Sequence, residues 1–362
     1  MARTERHVKS INVALQGGGS HGAFTWGVLD RLLEDGRIWI EAISGTSAGA
    51  MNAVVAAQGM YDGQAEGGRT ALRRFWGEIS EAGRSSPLRR SPFDRWSGSW
   101  SLDSSPAYLF FDIVNRMASP YDINPLNINP LRTIIERLID FRKVRDCKDM
   151  SIYISATNVE TGRGRVFHRE EITADVVMAS ACLPHLFQAV VIDGAPYWDG
   201  GYMGNPVLFP FYSRSDADDI VIVQINPIVR PGIPKTAREI LNRANEITFN
   251  SSLLRELRAV DFVTRLLDEG KIGGDQYRRM NIHMIEARHE MRPLGASSKL
   301  NTEWPFLEHL FEIGRGAAST WIDTHFYDIG ERSTVDVREM FQGVGPAGHA
   351  LAQPRTAAPG NE

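Results

Sequence analysis

Two glycine-rich turns near the start of the chain carry residues that suit nucleophilic chemistry. The first covers residues 17–22 (Gly-Gly-Gly-Ser-His-Gly), and the second covers residues 45–49 (Gly-Thr-Ser-Ala-Gly). In the second turn Ser47 matches G-x-S-x-G, the pattern of a nucleophilic serine on a tight strand-to-helix turn. Side chains at the two glycine positions would collide with neighbouring chain, and the following helix start favours developing negative charge. The pattern predicts Ser47 as the nucleophile of an acyl-transfer reaction.

The first turn presents successive backbone N–H groups that suit an oxyanion hole, with Gly17, Gly18 and Gly19 as the donors. The same residues also satisfy G-x-G-x-x-G, the fingerprint of a dinucleotide-binding loop. That alternative requires an acidic residue at the end of the second strand. Glu41 is near the required distance, but it lies within or before that strand, whose end is occupied by the turn with Ser47. We therefore favour the oxyanion hole and keep a dinucleotide-binding protein as the alternative from another class.

A serine nucleophile needs a proton acceptor, and the usual candidate, histidine, is poorly marked here. None of the nine histidines lies in a motif that identifies it as catalytic. Asp199 is a better candidate, because it follows an apolar run and precedes Gly200 and Gly201, which let the backbone bend so that the carboxylate faces a neighbouring loop. An ordinary Asp-Gly turn is the alternative interpretation, and it is the one that we favour at Asp193.

The elements around these residues alternate between strand and helix, which is typical of a parallel α/β sheet. Apolar spacing predicts strands at 11–16 and 39–43, with helices at 23–34 and 48–57. Further along, the spacing predicts a hairpin over 190–198, a strand over 281–287, and helices within 131–141, 235–269 and 304–326. Each glycine-rich turn therefore connects a strand to the helix that follows it.

The bulk composition is that of an ordinary globular protein. Of 362 residues, 43% are apolar and 23% are charged, and the net charge of −4 gives no general attraction to nucleic acid. Two cysteines are too few for a disulfide framework, and neither a secretory signal nor a membrane-spanning stretch is visible. We expect a cytoplasmic protein that meets lipid, if at all, at a membrane surface.

Residues 82–130 interrupt the regular pattern and suggest a lid or insert. The segment combines basic residues with tryptophans, namely Arg84, Arg89, Arg90, Arg95, Trp96 and Trp100. Basic side chains attract anionic head groups and tryptophan favours the membrane interface, so peripheral membrane contact is one interpretation. A solvated loop that packs its tryptophans on the domain is the other.

Taken together and in order, three motifs resemble those of the patatin-like phospholipase family: residues 17–22, 45–49 and 199–201. Residues 156–162 and 179–184 are also similar to family segments, and the similarity covers about residues 10–228. The resemblance implies a three-layer α/β/α sandwich with a mostly parallel central sheet. It also implies a Ser-Asp dyad that works without histidine.

Carried over to this sequence, the resemblance implies that Ser47 attacks an ester carbonyl. Asp199 then accepts the serine proton and later activates water, while the N–H groups of Gly18 and Gly19, with Gly17, hold the oxyanion. This chemistry needs no cofactor, and no metal-binding motif is visible. Our first expectation is a phospholipase A or lysophospholipase. Alternatives are a short-chain or hydroxyacyl esterase or depolymerase, and a catalytically inactive lipid-binding module.

One position departs from the family pattern. Many members have arginine where this chain has His21, which puts an anion-binding role at that position in doubt. A histidine there is charged for only part of the time near neutral pH, and a structural role is an equally good interpretation.

The resemblance also suggests how the chain is divided. We expect an N-terminal arm (1–9), a catalytic domain (10–228), a helical C-terminal extension (229–342) and a disordered tail (343–362). The extension is similar to one found in a bacterial branch of the family. Its apolar helix stripes suit either a cover for the sheet or the interface of a homo-oligomer.

Overall fold

A mostly parallel β-sheet with helices on both faces forms the centre of the protein, as a three-layer α/β/α sandwich. The computed structural model describes residues 8–274 and 277–343. Outside them lie residues 1–7 of the predicted arm and residues 344–362 of the predicted tail. The strands are β1 (Lys9–Leu15), β2 (Ile38–Gly45), β3 (Ser151–Asn158), β4 (Gly164–His168), β5 (Val190–Ile192), β6 (Ala195–Asp199), β7 (Asp219–Val223) and β8 (Asn281–Ile285).

The helices include one at each of the five ranges that the apolar spacing predicts. They are α1 (Gly22–Asp35), α2 (Ala48–Gly83), α3 (Pro92–Trp96), α4 (Pro106–Met117), α5 (Pro120–Ile123), α6 (Pro130–Leu138), α7 (Phe141–Asp146), α8 (Ala174–Ser180), α9 (Phe209–Arg214), α10 (Ala237–Asp268), α11 (Arg288–Met291), α12 (Trp304–His325) and α13 (Val337–Gln342). None of the helices in the described ranges is both long and apolar enough to cross a bilayer.

The strand order is β5-β6-β3-β2-β1-β7-β8, with β4 paired to β3. The five strands from β3 to β8 in this order run parallel, whereas β4, β5 and β6 join by antiparallel pairing. In the register, Leu15 lies opposite both Gly45 and Val223. The carboxyl ends of β1, β2 and β7 are therefore level, and the loops that follow them meet at one edge, where open α/β sheets place their sites.

Helix α2 extends well past the predicted end at residue 57. Its backbone leaves helical geometry at Gly63 and Gln64, where two helical segments meet at a kink, and it continues to Gly83. Leu72 and Phe75 on the second segment are fully buried in the main core. Burial of these side chains explains why the helix continues through a glycine-rich stretch with poor intrinsic helix propensity.

The C-terminal extension is packed closely against the catalytic part of the chain. Strand β8 joins the central sheet beside β7, as predicted from residues 281–287. Helix α12 lies along α1, with the rings of Trp26 and Phe311 only 4.1 Å apart between centroids. The division into separate catalytic and extension domains therefore stays a prediction, while the extension itself contributes to the central sheet and to its helical layer.

Candidate active site

Ser47 lies on the sharp turn between β2 and α2, as predicted from the G-x-S-x-G pattern. Its backbone has φ 54° and ψ −119°, a region that side-chain-bearing residues rarely adopt. A Cβ on Gly45 would lie 2.6 Å from the backbone carbon of Gly49, and a Cβ on Gly49 would lie 2.4 Å from the Leu15 carbonyl oxygen. Only glycine fits at both positions. The strained turn is held by the Ser47 N–H, which donates to Ser180 Oγ at 2.9 Å.

Asp199, the last residue of β6, faces Ser47 from the other side of the site. The Ser47 side chain lies close enough to Asp199 to stabilise its ionised carboxylate and so to lower the pKa of Asp199. The Gly201 N–H donates to Asp199 Oδ1 at 2.7 Å, and the Asp199 N–H donates to the Cys182 carbonyl at 2.8 Å. Asp199 is thus held through both its carboxylate and its backbone, with Ser47 as a neighbour of the carboxylate.

Burial changes the acidity of this carboxyl group. Asp199 is only 1% exposed, and desolvation raises its pKa to about 6. Hydrogen bonds from Gly201 and Ser47 and the positive charge of Lys299 act in the opposite direction and limit the rise. A carboxylate with a pKa close to neutrality is ionised at physiological pH and is still basic enough to accept a proton from an alcohol in a transition state.

The glycine loop after β1 lies directly against the nucleophile. A Cβ on Gly17 would lie 2.8 Å from the Cβ of Ser47. The Gly17 N–H already donates to Asn205 Oδ1 at 2.7 Å, so in this arrangement Gly17 shapes the loop and is not a free donor. Within the described ranges, the N–H groups of Gly18 and Gly19 have no protein acceptor. The geometry therefore leaves these two groups as the available donors for an oxyanion.

His21 has a structural position in the same loop. It is buried, and its Nε2 lies 2.8 Å from Ser298 Oγ, whose own hydroxyl donates to the Gly295 carbonyl at 2.8 Å. Burial, helped by the positive charge of Lys299, lowers the pKa of His21 well below its usual value. His21 is therefore neutral near pH 7, and it does not supply the positive charge of the arginine found here in many family members.

Residues from distant parts of the chain complete the site, and local motifs did not reveal them. Asn205 and Ser180 each bind one of the two glycine-rich turns. Lys299 approaches from the C-terminal extension, with its Nζ 2.8 Å from Asn226 Oδ1. The only available signal was general, since buried polar side chains require hydrogen-bond partners.

The alternative dinucleotide site lacks its acidic residue. Glu41 Oε1 accepts hydrogen bonds from Ser215 Oγ at 3.0 Å and from the Asp216 N–H at 2.5 Å. Glu41 lies on β2 just before Ala42, which pairs with Asn12 of β1. Glu41 is therefore well ahead of the carboxyl ends of these two strands, and the glycine loop begins at the carboxyl end of β1. Across residues 8–274 and 277–343, no group of three or more potential metal ligands comes together.

Comparisons with known proteins point to one family. A family model described as patatin-like phospholipase matches residues 13–212. No curated protein matches the chain. Among solved structures, VipD from Legionella pneumophila is 16% identical with a TM-score of 0.40, and the match covers 90% of this chain and 70% of VipD. ExoU from Pseudomonas aeruginosa, solved in a heterodimeric complex with SpcU, is 15% identical with a TM-score of 0.36, and the match covers 90% of this chain and 53% of that one.

The family match includes both glycine-rich turns and Asp199, and it spans more than half of the 362 residues. The chain therefore belongs to the patatin-like phospholipase family, a family of lipid hydrolases.

Proposed function

We propose that this protein hydrolyses carboxylic esters of lipids through an acyl-enzyme, with Ser47 and Asp199 as a catalytic dyad. The observation that carries the proposal is a buried carboxylate at Asp199 whose pKa is about 6 and whose ionised form is stabilised by the neighbouring Ser47 side chain. Two backbone N–H groups without protein acceptors lie beside it, at Gly18 and Gly19. Nucleophile, base and oxyanion donors thus occupy one edge of the sheet.

The first half of the reaction forms the acyl-enzyme. Ser47 Oγ bonds to the ester carbonyl carbon while its proton passes to Asp199. The carbonyl oxygen becomes negative and accepts hydrogen bonds from Gly18 and Gly19, each worth about 3 kcal/mol in related sites. When the tetrahedral intermediate collapses, the bond to the alcohol breaks and the alcohol takes the proton from Asp199.

The second half restores the enzyme. Asp199 takes a proton from a water molecule, whose oxygen attacks the acyl carbon of the acyl-serine. Collapse of this second intermediate breaks the bond to Ser47, releases the carboxylic acid and returns the proton to the serine oxygen. Because Asp199 is fixed by Gly201 and Cys182, no histidine is needed to position the base.

We also propose that the insert contacts a lipid surface. The contact involves exposed apolar residues of the insert as well as one of its two tryptophans. Trp100 is partly buried against Phe306 at 5.3 Å between ring centroids, and Arg90 lies over its ring and pairs with Glu303. These residues hold the insert to the domain. Trp96, in contrast, is 84% exposed.

An exposed apolar surface follows on α4, α5 and the next loop. Its most prominent residues are Phe110, Ile113, Met117, Tyr121, Leu126 and Ile128. We call this set the apolar surface. Phe110 is 70% exposed, Met117 83% and Leu126 81%, which is unusual for large apolar side chains so close together in the chain. Aromatic and aliphatic side chains on a short amphipathic helix suit the boundary of a bilayer.

The apolar surface is attached to the segment that supports the catalytic base. Gln188 Nε2 donates to the Asn124 carbonyl at 2.8 Å, and the Ala189 N–H donates to the Tyr121 hydroxyl at 3.2 Å. Cys182, at the start of that segment, accepts the hydrogen bond from Asp199 N–H. Contact with a membrane at the apolar surface would therefore bring lipid esters close to the dyad.

Cys147 and Cys182 are both free, which supports a reducing compartment such as the cytoplasm.

Reaction with a fluorophosphonate probe tests the proposed function. The probe labels an activated serine, so the wild-type protein becomes modified at Ser47 and a Ser47→Ala variant does not. Absence of labelling in the wild type would instead favour an inactive lipid-binding protein. Hydrolysis of esters with graded acyl length then separates a long-chain lipase from the short-chain or hydroxyacyl esterase.

A further inference from the structure

Lys299 is a partly buried titratable residue that the dyad mechanism does not use. It belongs to a short 3-10 helix, Ser297–Leu300, in the C-terminal extension and thus outside residues 13–212 that match the family. Lys299 as a residue is only partly buried, whereas Asp199 and His21, on which its charge acts, are almost fully buried. Part of Lys299 is therefore accessible from outside.

Two contacts place Lys299 between the oxyanion loop and the base. Its carbonyl oxygen would lie 2.5 Å from a Cβ on Gly19, so the backbone of the extension rests directly on the glycine loop. Its Nζ lies 5.9 Å from the centre of the Phe249 ring, and that ring packs on Gly201, which binds Asp199. Lys299 thus contacts the glycine loop through its backbone, and the charge of its ammonium group acts on both His21 and Asp199.

The ammonium group of Lys299 forms no direct contact with a carboxylate in the described ranges. Its ammonium donates to Asn226 Oδ1, and no ion pair to Lys299 is present in the described part of the chain. The charges that act on it are those of Glu246, Asp199 and Arg230. Glu246 is already paired with Arg230 at 2.6 Å and with Arg243 at 3.1 Å. Two arginines therefore occupy the Glu246 carboxylate, and within the described ranges Lys299 has no carboxylate of its own in direct contact.

We propose that Lys299 binds an anionic group carried by the ester substrate, beside Gly18 and Gly19, and so makes the enzyme prefer negatively charged lipid esters over neutral ones. An ammonium with one protein acceptor has donors left for a phosphate-like oxygen. The neighbouring His21 is neutral and does not take this role. The inference rests on the proposed function, because it assumes that Ser47 hydrolyses an ester bound at this edge of the sheet.

Two monoacyl esters with the same acyl chain test the inference, a monoacylglycerol and its glycerol-phosphate counterpart. The quantity measured is the ratio of kcat/KM for the phosphate ester to kcat/KM for the neutral ester. In Lys299→Met we expect this ratio to fall by about tenfold to a hundredfold, the usual effect of losing a charge-assisted hydrogen bond. Lys299→Arg keeps the charge and recovers most of the ratio.

Controls separate this role from effects on folding or on the dyad. Lys148→Met removes one exposed positive charge ahead of β3, far from the loops that follow the parallel strands, and it keeps the wild-type ratio. A ratio unchanged in Lys299→Met overturns the inference, including the case where both esters are hydrolysed more slowly to the same extent. A wild-type protein that neither reacts with the fluorophosphonate probe nor hydrolyses either ester overturns the proposed function itself.

Discussion

The side chain of Ser47 stabilises the ionised carboxylate of Asp199, although the two residues lie at the ends of different strands and far apart in the chain. The positions of the two side chains depend on two features of the backbone. Ser47 adopts a positive φ of 54°, and Asp199 is held by the Gly201 N–H at 2.7 Å. The site is thus built by backbone geometry more than by side-chain packing, which is why glycines surround both residues.

The dyad gives the reaction a defined pH dependence. Because Asp199 must be ionised to accept the serine proton, kcat/KM is expected to rise with pH through the Asp199 pKa of about 6 and to level off above it. Initial rates with a neutral ester between pH 4.5 and 9 measure this profile. A curve that rises only through pH 7 or higher would assign the proton to another group.

Gly45→Ala should damage the nucleophile turn. The added methyl group would lie 2.6 Å from the backbone of Gly49, which cannot move without distorting the turn that carries Ser47. Overpacking of this kind costs about 1–3 kcal/mol, and we expect a lower melting temperature and loss of ester hydrolysis. Gly77→Ala in α2 is the matched control, because no atom lies within 4 Å of its added Cβ. Equal activity in the two variants would contradict this account of the turn.

Glu256 should make the stability of the fold depend on pH. Its carboxylate accepts hydrogen bonds from the Leu208 N–H at 2.7 Å and the Phe209 N–H at 2.9 Å, and burial raises its pKa to about 7. The side chain of an unfolded glutamate has a pKa of about 4.3. The raised pKa of Glu256 in the fold therefore adds stability that is fully present below about pH 4.3 and is lost as the pH rises through about 7.

Glu256→Gln therefore reduces the fall in melting temperature between pH 5 and pH 8, while still offering an acceptor to both N–H groups. Asp199 contributes to this fall with the same sign, so the comparison is made against the wild type at each pH. The exposed Glu290→Gln serves as control and keeps the wild-type slope. Identical slopes for wild type and Glu256→Gln would show that Glu256 does not titrate in this range.

The apolar surface should carry membrane binding. Replacing Phe110, Met117 and Leu126 by serine removes three of its exposed side chains, each worth up to about 1.5–3 kcal/mol on full burial. We expect at least a tenfold lower vesicle partition coefficient in cosedimentation, with hydrolysis of a water-soluble short-chain ester retained. Tyr327→Ser is the control, since Tyr327 is 83% exposed at another place on the protein. Equal losses in both variants would remove the special role of this surface.

Sequence reasoning could predict local structure where a short motif determines backbone geometry. Ser47 and Asp199 were predicted because glycines are required next to them, and the structure brings these residues together. The serines and asparagines that hold the turns, such as Ser180 and Asn205, carry no such local signal. Their position follows from the packing of distant segments, which a single sequence does not reveal.

The insert shows a signal that was present but not used. Residues 82–130 were predicted as a lid or insert, and no helix bounds were assigned within them, yet α3, α4 and α5 all begin directly after a serine with a proline as first residue. Proline is favoured in the first turn of a helix and serine is favoured just before it. Helix α2 was predicted too short for the opposite reason, since buried packing of its second half overrides a glycine-rich sequence.

The most direct test of the account is the turnover of Asp199→Asn on a simple carboxylic ester. We expect kcat to fall by about 10³-fold, within the range for loss of a general base. The melting temperature at pH 7.5 should stay the same or rise, because a buried carboxylate with a raised pKa is replaced by a neutral group. Asp193→Asn, an exposed aspartate in the same hairpin, should retain wild-type turnover. If the folded Asp199→Asn variant keeps more than about a tenth of wild-type kcat, a loss far smaller than removal of a general base produces, then Asp199 is not the catalytic base.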